Sequence, residues 1–354
     1  MLERVDVAVI GAGPAGAAVA IGLRGYGRSV AIIDQSRTSP AIGETLPPEA
    51  TPLLQQLGVW SDFVRADHLP AVCNESAWGS DALDVRSFIN TPYGRGWHLD
   101  RPAFDAMLRR RAHDAGTQHI EGRASEVASD DGWRLTVDSE GQRRTIAASW
   151  IVDATGRASW LAARLGVRRI QVGQLTASAL MLCRSREEPM DPDRATLVET
   201  APCGWFYTAV LPGSRRIAVC FTRPSESPRT VHQFLSETGD TSHVRRRLEG
   251  YEPVAGPWLF TANSSSLDRS SGPGWTAVGD AACAHDPLSS RGLLAALDTS
   301  IHAAAAIDAA LKGSRTALTT FELRLRGDFE KYLQILEDVY AMERRWPERA
   351  FWRQ

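Results

Sequence analysis

Three glycines near the N-terminus have the spacing of a loop that binds a nucleotide cofactor: Gly11, Gly13 and Gly16. In a G-x-G-x-x-G loop the first glycine permits a tight turn, the second lets a pyrophosphate approach the backbone, and the third lets helix and strand pack closely. The N–H groups at the start of the following helix then bind the phosphates. Asp34 ends the next predicted strand, where a carboxylate accepts a hydrogen bond from a ribose hydroxyl. The spacing predicts a dinucleotide site but does not distinguish FAD from NAD.

The residues around this loop have the pattern of a βαβ unit. Residues 5–10 are mostly apolar and β-branched, which is typical of a strand buried on both faces of a parallel sheet. Residues 17–26 predict a helix with many small side chains, and residues 29–33 predict a second strand. The loop therefore lies where a parallel strand ends and a helix begins, as cofactor binding requires.

The rest of the chain alternates between helical and strand patterns. Helices are predicted at 102–115, 291–311 and 316–345, two or three strands between 122 and 150, and one strand at 275–278. From 171 to 262 the pattern is β-rich, with strands at 180–184, 205–211 and 216–222 and a helical piece at 230–237. We expect both chain ends to contribute to the nucleotide-binding part and the β-rich segment to supply the substrate wall.

Composition excludes several classes of protein. With a formal net charge of −2 over 354 residues, the chain has no global basic field for nucleic acid. The five cysteines are odd in number and none forms a C-x-x-C pair, which argues against a disulfide framework and against a metal site. No signal-peptide pattern and no uninterrupted apolar run of membrane-spanning length are present. We therefore expect a cytoplasmic protein without a membrane span or a nucleic-acid partner.

Two further segments carry a resemblance to a known family. Asp153-Ala-Thr-Gly156-Arg157 follows a predicted strand, and Gly279-Asp280 begins a segment that continues through residues 286–293 into a long helix. With these motifs the chain resembles the FAD-dependent monooxygenases, a family that includes aromatic hydroxylases and flavin-dependent halogenases.

The resemblance implies an α/β fold: an FAD-binding Rossmann-like domain of the glutathione-reductase type, with an inserted β-sheet substrate domain and C-terminal helices. It predicts a discontinuous FAD-binding domain at 1–75, 95–170 and 263–312, a substrate domain at 76–94 and 171–262, and a C-terminal helical segment at 313–354.

The resemblance also implies roles for individual residues. Asp280 would bind the ribityl chain. The helix start after Pro287 would face the pyrimidine side of the isoalloxazine and stabilise negative charge on the reduced flavin. Arg101 matches a family position near the flavin, although a local ion pair explains an arginine there equally well. The predicted cofactor-binding residues are Gly11, Gly13, Ala15, Gly16, Asp34, Gln35, Glu44, Thr45, Arg101, Val127, Asp153, Gly279, Asp280, Pro287, Ser290, Gly292 and Leu293.

The flavin carries the difficult chemistry in this family, so few side chains need to act as acids or bases. We predict catalytic roles for Glu44, His98 and Asp286. We predict that Trp205 and Tyr207 line the substrate wall. Three of these residues have structural alternatives: His98 as a satisfied buried histidine, Asp286 as the cap of the turn that follows it, and Trp205 as a packing residue.

Three segments narrow the resemblance to one branch of the family. Residues 42–48, 204–213 and 343–353 are similar to halogenase-like flavoproteins, and among them to the maturation flavoproteins of quinone-cofactor enzymes. Those proteins install oxygen on a tryptophan or nearby side chain of a partner polypeptide during cysteine tryptophylquinone formation. The resemblance therefore implies a protein or peptide substrate.

The lysine content argues against halogenation. The resemblance to halogenases implies a lysine beside the substrate in the N-terminal third of the chain, but only Lys312 and Lys331 are present. The halogenase W-x-W-x-I-P pattern is also absent. Arg291-Gly292 stands where halogenases often carry Thr-Gly, and an arginine there can still attract an anion.

These observations predict an FAD-dependent monooxygenase that hydroxylates an electron-rich group, tryptophan or another aromatic ring, through a flavin C4a-hydroperoxide formed with O2. No second G-x-G-x-x-G follows a strand in the middle of the chain. The electrons would therefore come from transient contact with NAD(P)H or from a separate flavin reductase. Three alternatives stay open: a hydroxylase or reductase of a small aromatic or isoprenoid metabolite, a flavin-dependent halogenase, and a non-catalytic flavoprotein.

Overall fold

The computed structural model describes residues 3–35, 44–130, 132–139, 141–185, 187 and 189–353. Ile42 and Gly43, which begin one of the segments with the family resemblance, lie outside the described residues.

The strands in the described part of the chain are β1 (Glu3–Ile10), β2 (Val30–Asp34), β3 (Thr45–Leu46), β4 (Leu69–Ala71), β5 (Cys73–Ala77), β6 (Asp84–Ser87), β7 (Gly96–His98), β8 (Gln118–Glu121), β9 (Arg123–Asp130), β10 (Gly132–Ser139), β11 (Gln142–Asp153), β12 (Arg169–Val172), β13 (Thr176–Cys183), β14 (Ala195–Ala201), β15 (Gly204–Leu211), β16 (Arg215–Thr222), β17 (Glu252–Thr261), β18 (Ser264–Leu267), β19 (Ser271–Gly272), β20 (Trp275–Ala277) and β21 (Cys283–Ala284). The α-helices are α1 (Pro14–Gly25), α2 (Ala50–Gln56), α3 (Trp60–Arg65), α4 (Arg101–Asp114), α5 (Trp160–Arg164), α6 (Val231–Glu237), α7 (His243–Leu248), α8 (Gly292–Leu311) and α9 (Ala317–Ala341).

The first large sheet is the parallel core of a nucleotide-binding fold. Its strand order is β19-β20-β11-β1-β2-β8, and β1 pairs in parallel with both β11 and β2. Val7, Ala8 and Val9 of β1 are fully buried because both faces of the sheet are covered. The antiparallel pair β9 and β10 extends this sheet from β11. The α/β fold predicted from the sequence is confirmed.

Helices α1 and α8 pack closely because their contact is built from small residues. A Cβ on Gly22 of α1 would lie only 2.8 Å from the Cβ of Ala304 on α8. Helix α1 begins at Pro14, earlier than the predicted residue 17, because Gly13 is extended and proline suits the first helical position. Helix α8 is the only described helix long and apolar enough to cross a membrane, but more than half of it is buried in the protein, as in a core helix.

The second large sheet has the strand order β17-β13-β16-β15-β14-β5-β6 and is mostly antiparallel. On one face, Phe206 and Cys220 pack with Phe234 of α6 and Val244 of α7. The other face carries Trp205 and packs against residues from the rest of the chain. The sheet combines strands from 73–87 with strands from 176–261. The division of the chain into domains stays a prediction.

Two small sheets, β3-β7-β4 and β12-β18-β21, complete the described strands. The C-terminal segment, residues 339–352, lies on the second large sheet. Trp78 of the segment after β5 donates its indole N–H to the Val339 carbonyl at 2.8 Å, and Trp352 donates to the Ala201 carbonyl at 2.9 Å. The last helix is thereby fixed to the strands that were predicted to form the substrate wall.

Candidate cofactor and active site

The glycine loop between β1 and α1 accepts only glycine at two of its positions. Gly11 has a φ of +103°, and a Cβ there would lie 2.4 Å from the carbonyl oxygen of Ala154. A Cβ on Gly16 would lie 1.8 Å from the carbonyl oxygen of Gly11. Gly13 precedes α1 without any side-chain cap. In the described part of the chain no capping side chain therefore competes with a phosphate for the first N–H groups of the helix.

A second glycine turn, far along the chain, packs directly on this loop. Gly279 has a φ of +57°, and a Cβ there would lie 2.8 Å from the Cβ of Ala15. The Ser300 hydroxyl donates to the Ala15 carbonyl at 2.9 Å, and the Gly279 N–H donates to Thr299 Oγ1 at 3.0 Å. The two segments form one structure, which we call the cradle: residues 11–16 and 279–280.

Asp280 provides the accessible carboxylate of the cradle. Its side chain is 37% exposed, and Arg157 Nε lies 3.7 Å from Oδ2. Desolvation by the surrounding protein raises the pKa of Asp280, while the positive charges of Arg157, Arg169 and Arg101 oppose the rise. A carboxylate beside a phosphate-binding loop can accept hydrogen bonds from the hydroxyls of a ribityl chain. This placement fits the role predicted for Asp280.

Two arginines outside the predicted set hold the backbone around Asp280. Arg157 donates to the carbonyls of Asn263 at 2.6 Å and His285 at 3.0 Å. Arg169 donates to the Asp280 carbonyl at 2.7 Å. Arg157 ends the Asp153–Arg157 motif, so its position in that motif was the signal that could have identified it. Arg169 lies in no motif, and only the folded chain brings it here.

Asp153 is predicted to contact the cofactor, but the structure gives its carboxylate another role. It is fully buried, and Oδ1 accepts from the Thr155 N–H at 3.1 Å and the Thr155 hydroxyl at 2.6 Å. Oδ2 accepts from the N–H groups of Leu161 at 2.8 Å and Ala162 at 3.1 Å. Four donors use the accepting capacity of the carboxylate. The Asp153 carboxylate therefore fixes the 153–157 turn, and the predicted contact of Asp153 with the cofactor stays a prediction.

Four other predicted cofactor residues lie in or next to β2, β9 and α4. Asp34 is half-buried at the carboxyl end of β2, and Gln35 is exposed beside it. Val127 is half-buried in β9. Arg101 is buried at the start of α4 and pairs with Asp105 at 3.3 Å, so the local ion pair considered for it is present. Its charge also acts on Asp280. Their contacts with a cofactor stay predictions.

The second part of the site is the turn formed by residues 286–292, which leads into α8. Asp286 caps the short 3₁₀ helix Pro287–Ser289 and accepts from the Leu288 N–H at 2.8 Å. Ser290 is left-handed with a φ of +51°, and α8 begins without a side-chain cap. A Cβ on Gly292 would meet no heavy atom within 4 Å. The start of α8 therefore has open space beside Gly292 and no side-chain cap on its first N–H groups, which carry the positive end of the helix dipole.

Asp286 is buried within this turn, and its second oxygen accepts from the Tyr340 hydroxyl at 2.9 Å. Burial raises the pKa of Asp286 to about 6, although the hydrogen bonds from Leu288 and Tyr340 lower it. The capping role considered for Asp286 is present, and its catalytic role stays a prediction. Of the other predicted residues of the turn, Pro287 and Gly292 are exposed, whereas Leu293 is buried.

Glu44, Thr45 and Tyr207 are brought together by the fold. Thr45 Oγ1 and the Tyr207 hydroxyl are 2.6 Å apart. Glu44 is 3% exposed, and its backbone carbonyl accepts from the Leu99 N–H at 2.7 Å. Burial, and then the negative charge of Glu44, raise the pKa of Tyr207. Two residues predicted from the N-terminal segment therefore join one predicted from the second sheet.

His98 lies opposite Thr45 in the small β3-β7-β4 sheet, but its side chain is directed elsewhere. It is fully buried, and its Nε2 lies 2.9 Å from Thr196 Oγ1 of β14. Burial lowers the pKa of His98 to about 4, so the imidazole is neutral at physiological pH. These features are those of the structural histidine considered as its alternative. Its predicted catalytic role gains no support from this geometry.

Trp205 is predicted to line the substrate wall, but its ring is covered by protein. It is 1% exposed and stacks on Phe221 with a centroid distance of 3.8 Å. Its indole N–H donates to the Tyr340 hydroxyl of α9 at 2.9 Å. Helix α9 covers this part of the sheet, so the packing role considered for Trp205 is present, and its place in the substrate wall stays a prediction. On the same face Tyr207 keeps partial exposure, and Leu288 of the 286–292 turn packs there.

Two tyrosines of α9 hold the 286–292 turn and were absent from the predicted site. Besides Tyr340, Tyr332 accepts from the Asp286 N–H at 2.6 Å, and its hydroxyl lies 2.6 Å from Ser264 Oγ. The buried positions of α9, which include Phe321 and Tyr332, follow a helical period. The sequence period therefore shows that one face of α9 is buried, but it does not show which segment of the chain packs against that face.

The fold and the cradle define a flavoprotein of the dinucleotide-binding α/β class. The obligatory glycines, the two uncapped helix starts and the accessible Asp280 carboxylate fit FAD. The chain belongs to the FAD binding domain family, whose model matches residues 4–323. It is an FAD-dependent oxidoreductase.

The relatives agree with the resemblance inferred from the motifs. The FAD-dependent oxidoreductase LodB of Marinomonas mediterranea is 28% identical over 368 residues, covering 99% of this chain and 96% of LodB. A brominase of 1H-pyrrole-2-carbonyl groups on a peptidyl-carrier protein, from Pseudoalteromonas luteoviolacea, is 25% identical over 322 residues, covering 87% of this chain and 78% of its own. The solved structure of the peptidyl tryptophan dihydroxylase QhpG, essential for tryptophylquinone cofactor biogenesis, superposes with a TM-score of 0.78 at 27% identity, covering 99% of this chain and 78% of QhpG.

Proposed function

We propose that the protein is a cytoplasmic FAD-dependent monooxygenase that hydroxylates a tryptophan or another aromatic side chain of a partner polypeptide. One oxygen atom of O2 enters the ring and the other leaves as water. NAD(P)H, directly or through a separate flavin reductase, supplies the two electrons. The similarity to QhpG, a peptidyl tryptophan dihydroxylase, supports this choice of substrate.

The observation that carries the proposal is the packing of the 286–292 turn against the aromatic face of the second sheet. Leu288 packs in the same apolar cluster as Tyr207, the aromatic residue of this face that keeps partial exposure. The uncapped start of α8 at Gly292 lies at the end of that turn. An apolar, aromatic surface next to a flavin excludes water and suits an aromatic substrate.

The positions of the two lysines support oxygen transfer over halogenation. Lys312 follows the end of the 20-residue helix α8, which places it about 30 Å from Gly292. It pairs there with Asp308 at 2.7 Å. Lys331 is exposed on α9. Neither lysine lies in the N-terminal third of the chain, where the resemblance to halogenases implies the lysine beside the substrate.

When bound, FAD supplies the oxygen-transfer chemistry, and the side chains bind, orient and exclude water. The helix start at Gly292 favours negative charge on the ligand beside it. A tyrosine hydroxyl is protonated at neutral pH, and the raised pKa of Tyr207 keeps it protonated at more alkaline pH as well. Tyr207 can therefore donate a hydrogen bond to a substrate, while Thr45 at 2.6 Å fixes the orientation of that hydroxyl.

The direct test is intact-mass analysis of tryptophan-containing polypeptides after incubation with the FAD-loaded protein, a flavin reductase, NADH and air. We expect the mass of the substrate to increase by one or two oxygen atoms. Gly16→Ala, whose Cβ would lie 1.8 Å from the Gly11 carbonyl oxygen, is the control that cannot hold FAD. Oxygen consumption that yields hydrogen peroxide and leaves every polypeptide unmodified would contradict the proposal.

Halogenation is the second candidate, and Arg291 is the observation that favours it. The Nε of Arg291 is buried and has no hydrogen-bond partner among the described residues. A guanidinium N–H at a helix start suits an anion such as chloride or bromide. The similarity to the brominase agrees with this candidate. The same incubation with added bromide distinguishes the two, since a brominated product has a doublet isotope pattern.

A further inference from the structure

The hydroxyl of Tyr340 joins the second sheet to the 286–292 turn. It lies 2.9 Å from the indole nitrogen of Trp205 and 2.9 Å from Oδ2 of Asp286. Trp205 belongs to the second sheet, Asp286 begins the turn, and Tyr340 belongs to α9. One hydroxyl on a third element therefore holds two parts of the molecule that do not adjoin in sequence.

The direction of these two hydrogen bonds is fixed by chemistry. An indole N–H can only donate, so the Tyr340 oxygen accepts from Trp205. The hydroxyl proton is then free to donate to the Asp286 carboxylate. The other carboxylate oxygen accepts from the Leu288 N–H at 2.8 Å. The chain of donors runs from the second sheet through Tyr340 to the residue that caps the turn.

The position of Tyr340 is itself set by the second sheet. Its ring packs edge-on against Trp78 with a centroid distance of 5.5 Å. The Glu343 carboxylate, just beyond α9, accepts from the Thr200 hydroxyl at 2.6 Å and the Gly79 N–H at 3.0 Å. These contacts fix the end of α9 to the sheet, so a displacement of the sheet face would be passed to Asp286.

We propose that Tyr340 is a positioning residue that couples the aromatic face of the second sheet to the 286–292 turn and so sets the affinity of the site for FAD. The coupling does not depend on which substrate is oxidised, and it holds for a hydroxylase and a halogenase alike. A displacement of the second-sheet face would reach the 286–292 turn through one tyrosine hydroxyl.

The test compares Tyr340→Phe with Tyr251→Phe. Tyr251 also donates to an aspartate, Asp191, at 2.8 Å, but it packs on the opposite face of the second sheet. We expect the dissociation constant for FAD, measured by titrating apo-protein, to rise about tenfold in Tyr340→Phe and to stay unchanged in Tyr251→Phe. Trp205→Phe, which keeps the bond to Asp286, should give a smaller increase. Equal affinity for FAD in both tyrosine variants would overturn the proposal.

A pH profile of FAD affinity separates positioning from mere packing. The groups that face Asp286 are Tyr340, Tyr332, Arg157 and the neighbouring His285. Because the bond from Tyr340 lowers the pKa of Asp286, its loss should move the midpoint of the profile upward by about one pH unit.

Asp286→Asn should remove that titration. If Tyr340→Phe does not fold, Trp205→Phe and Asp286→Asn carry the same comparison. A profile identical in wild type and Asp286→Asn would also overturn the proposal.

Discussion

Two buried aspartates begin the two turns beside the cofactor cradle, and they are held in different ways. The carboxylate of Asp153 accepts four hydrogen bonds, all from residues 155–162. The carboxylate of Asp286 accepts one from Leu288 in its own turn and one from Tyr340 on α9. All donors to Asp153 lie within nine residues of it in sequence, whereas one of the two donors to Asp286 belongs to the distant helix α9.

The 153–157 turn is therefore held by its own neighbours, and we call it the fixed turn. The position of the 286–292 turn depends on a distant helix, and we call it the adjustable turn. The 153–157 turn presses the Ala154 carbonyl against the glycine loop, where only glycine fits. In the 286–292 turn the hydrogen bonds do not offset the cost of desolvation, and the pKa of Asp286 rises to about 6. The 153–157 turn is therefore held by hydrogen bonds from nearby residues, whereas the turn ahead of α8 depends on tertiary packing.

The largest difference is expected between Asp153→Asn and Asp286→Asn. An amide at 153 turns an NH2 group toward buried N–H donors, and we expect a loss of about 3–5 kcal/mol in the free energy of unfolding. An amide at 286 keeps an oxygen for one of the two donors, Leu288 and Tyr340, and leaves the other without an acceptor, but it also removes a desolvated charge. Because these changes oppose each other, the effect at pH 7.5 should stay within about 1 kcal/mol. Urea unfolding measures both. Similar losses in the two variants would show that both turns are equally dependent on their aspartates.

Glycine-to-alanine substitutions, one beside each turn, compare how much space the two turns leave for an added Cβ. In Gly11→Ala the Cβ would meet the Ala154 carbonyl oxygen at 2.4 Å with φ at +103°, so FAD affinity should fall about 100-fold. In Gly292→Ala the Cβ meets open space, and the Tm of apo-protein should change by less than about 2 °C. FAD titration and thermal unfolding of apo-protein check the pair. Unchanged FAD affinity in Gly11→Ala would mean that the 153–157 turn can move away to make room for the added Cβ.

The local part of the site could be predicted from the sequence because its requirements act at single positions. A glycine with positive φ and a helix start after it depend on neighbours within a few residues. The parallel order of β1 and β2 follows from the same unit. The hydrogen-bond partners of the Asp153 carboxylate could not all be predicted in this way. Two of its four donors, the N–H groups of Leu161 and Ala162, belong to α5, a helix of five residues without a sequence pattern of its own.

The adjustable part could not be predicted because its partners are distant. Trp205 and Tyr340 are 135 positions apart, and an indole suits a buried core as well as an aromatic binding wall. The helical period of α9 indicated a buried face but not that the face would hold Asp286. Packing of α9 on the second sheet decided both outcomes, burying Trp205 and placing a tyrosine hydroxyl on the turn.

The smallest predicted effect is also specific to the adjustable turn. The pKa of Asp286 is raised from 3.8 to about 6 in the folded protein, so the folded state binds its proton more tightly than the unfolded state. Stability from this group is therefore greatest at low pH and is lost as pH rises through 6. Between pH 5 and pH 7.5 the loss amounts to about 1.4 kcal/mol, after which it levels off.

Measuring this loss requires the difference between wild type and Asp286→Asn at each pH. His98, whose pKa is lowered to about 4, contributes the opposite trend, because the unfolded state takes up its proton first as pH falls below 6.5. That contribution is common to both proteins and cancels in the difference. A wild-type protein that gains stability relative to Asp286→Asn as pH rises from 5 to 7.5 would reverse the sign. It would mean that the donors from Leu288 and Tyr340 outweigh desolvation, and that the 286–292 turn is as firmly held as the 153–157 turn.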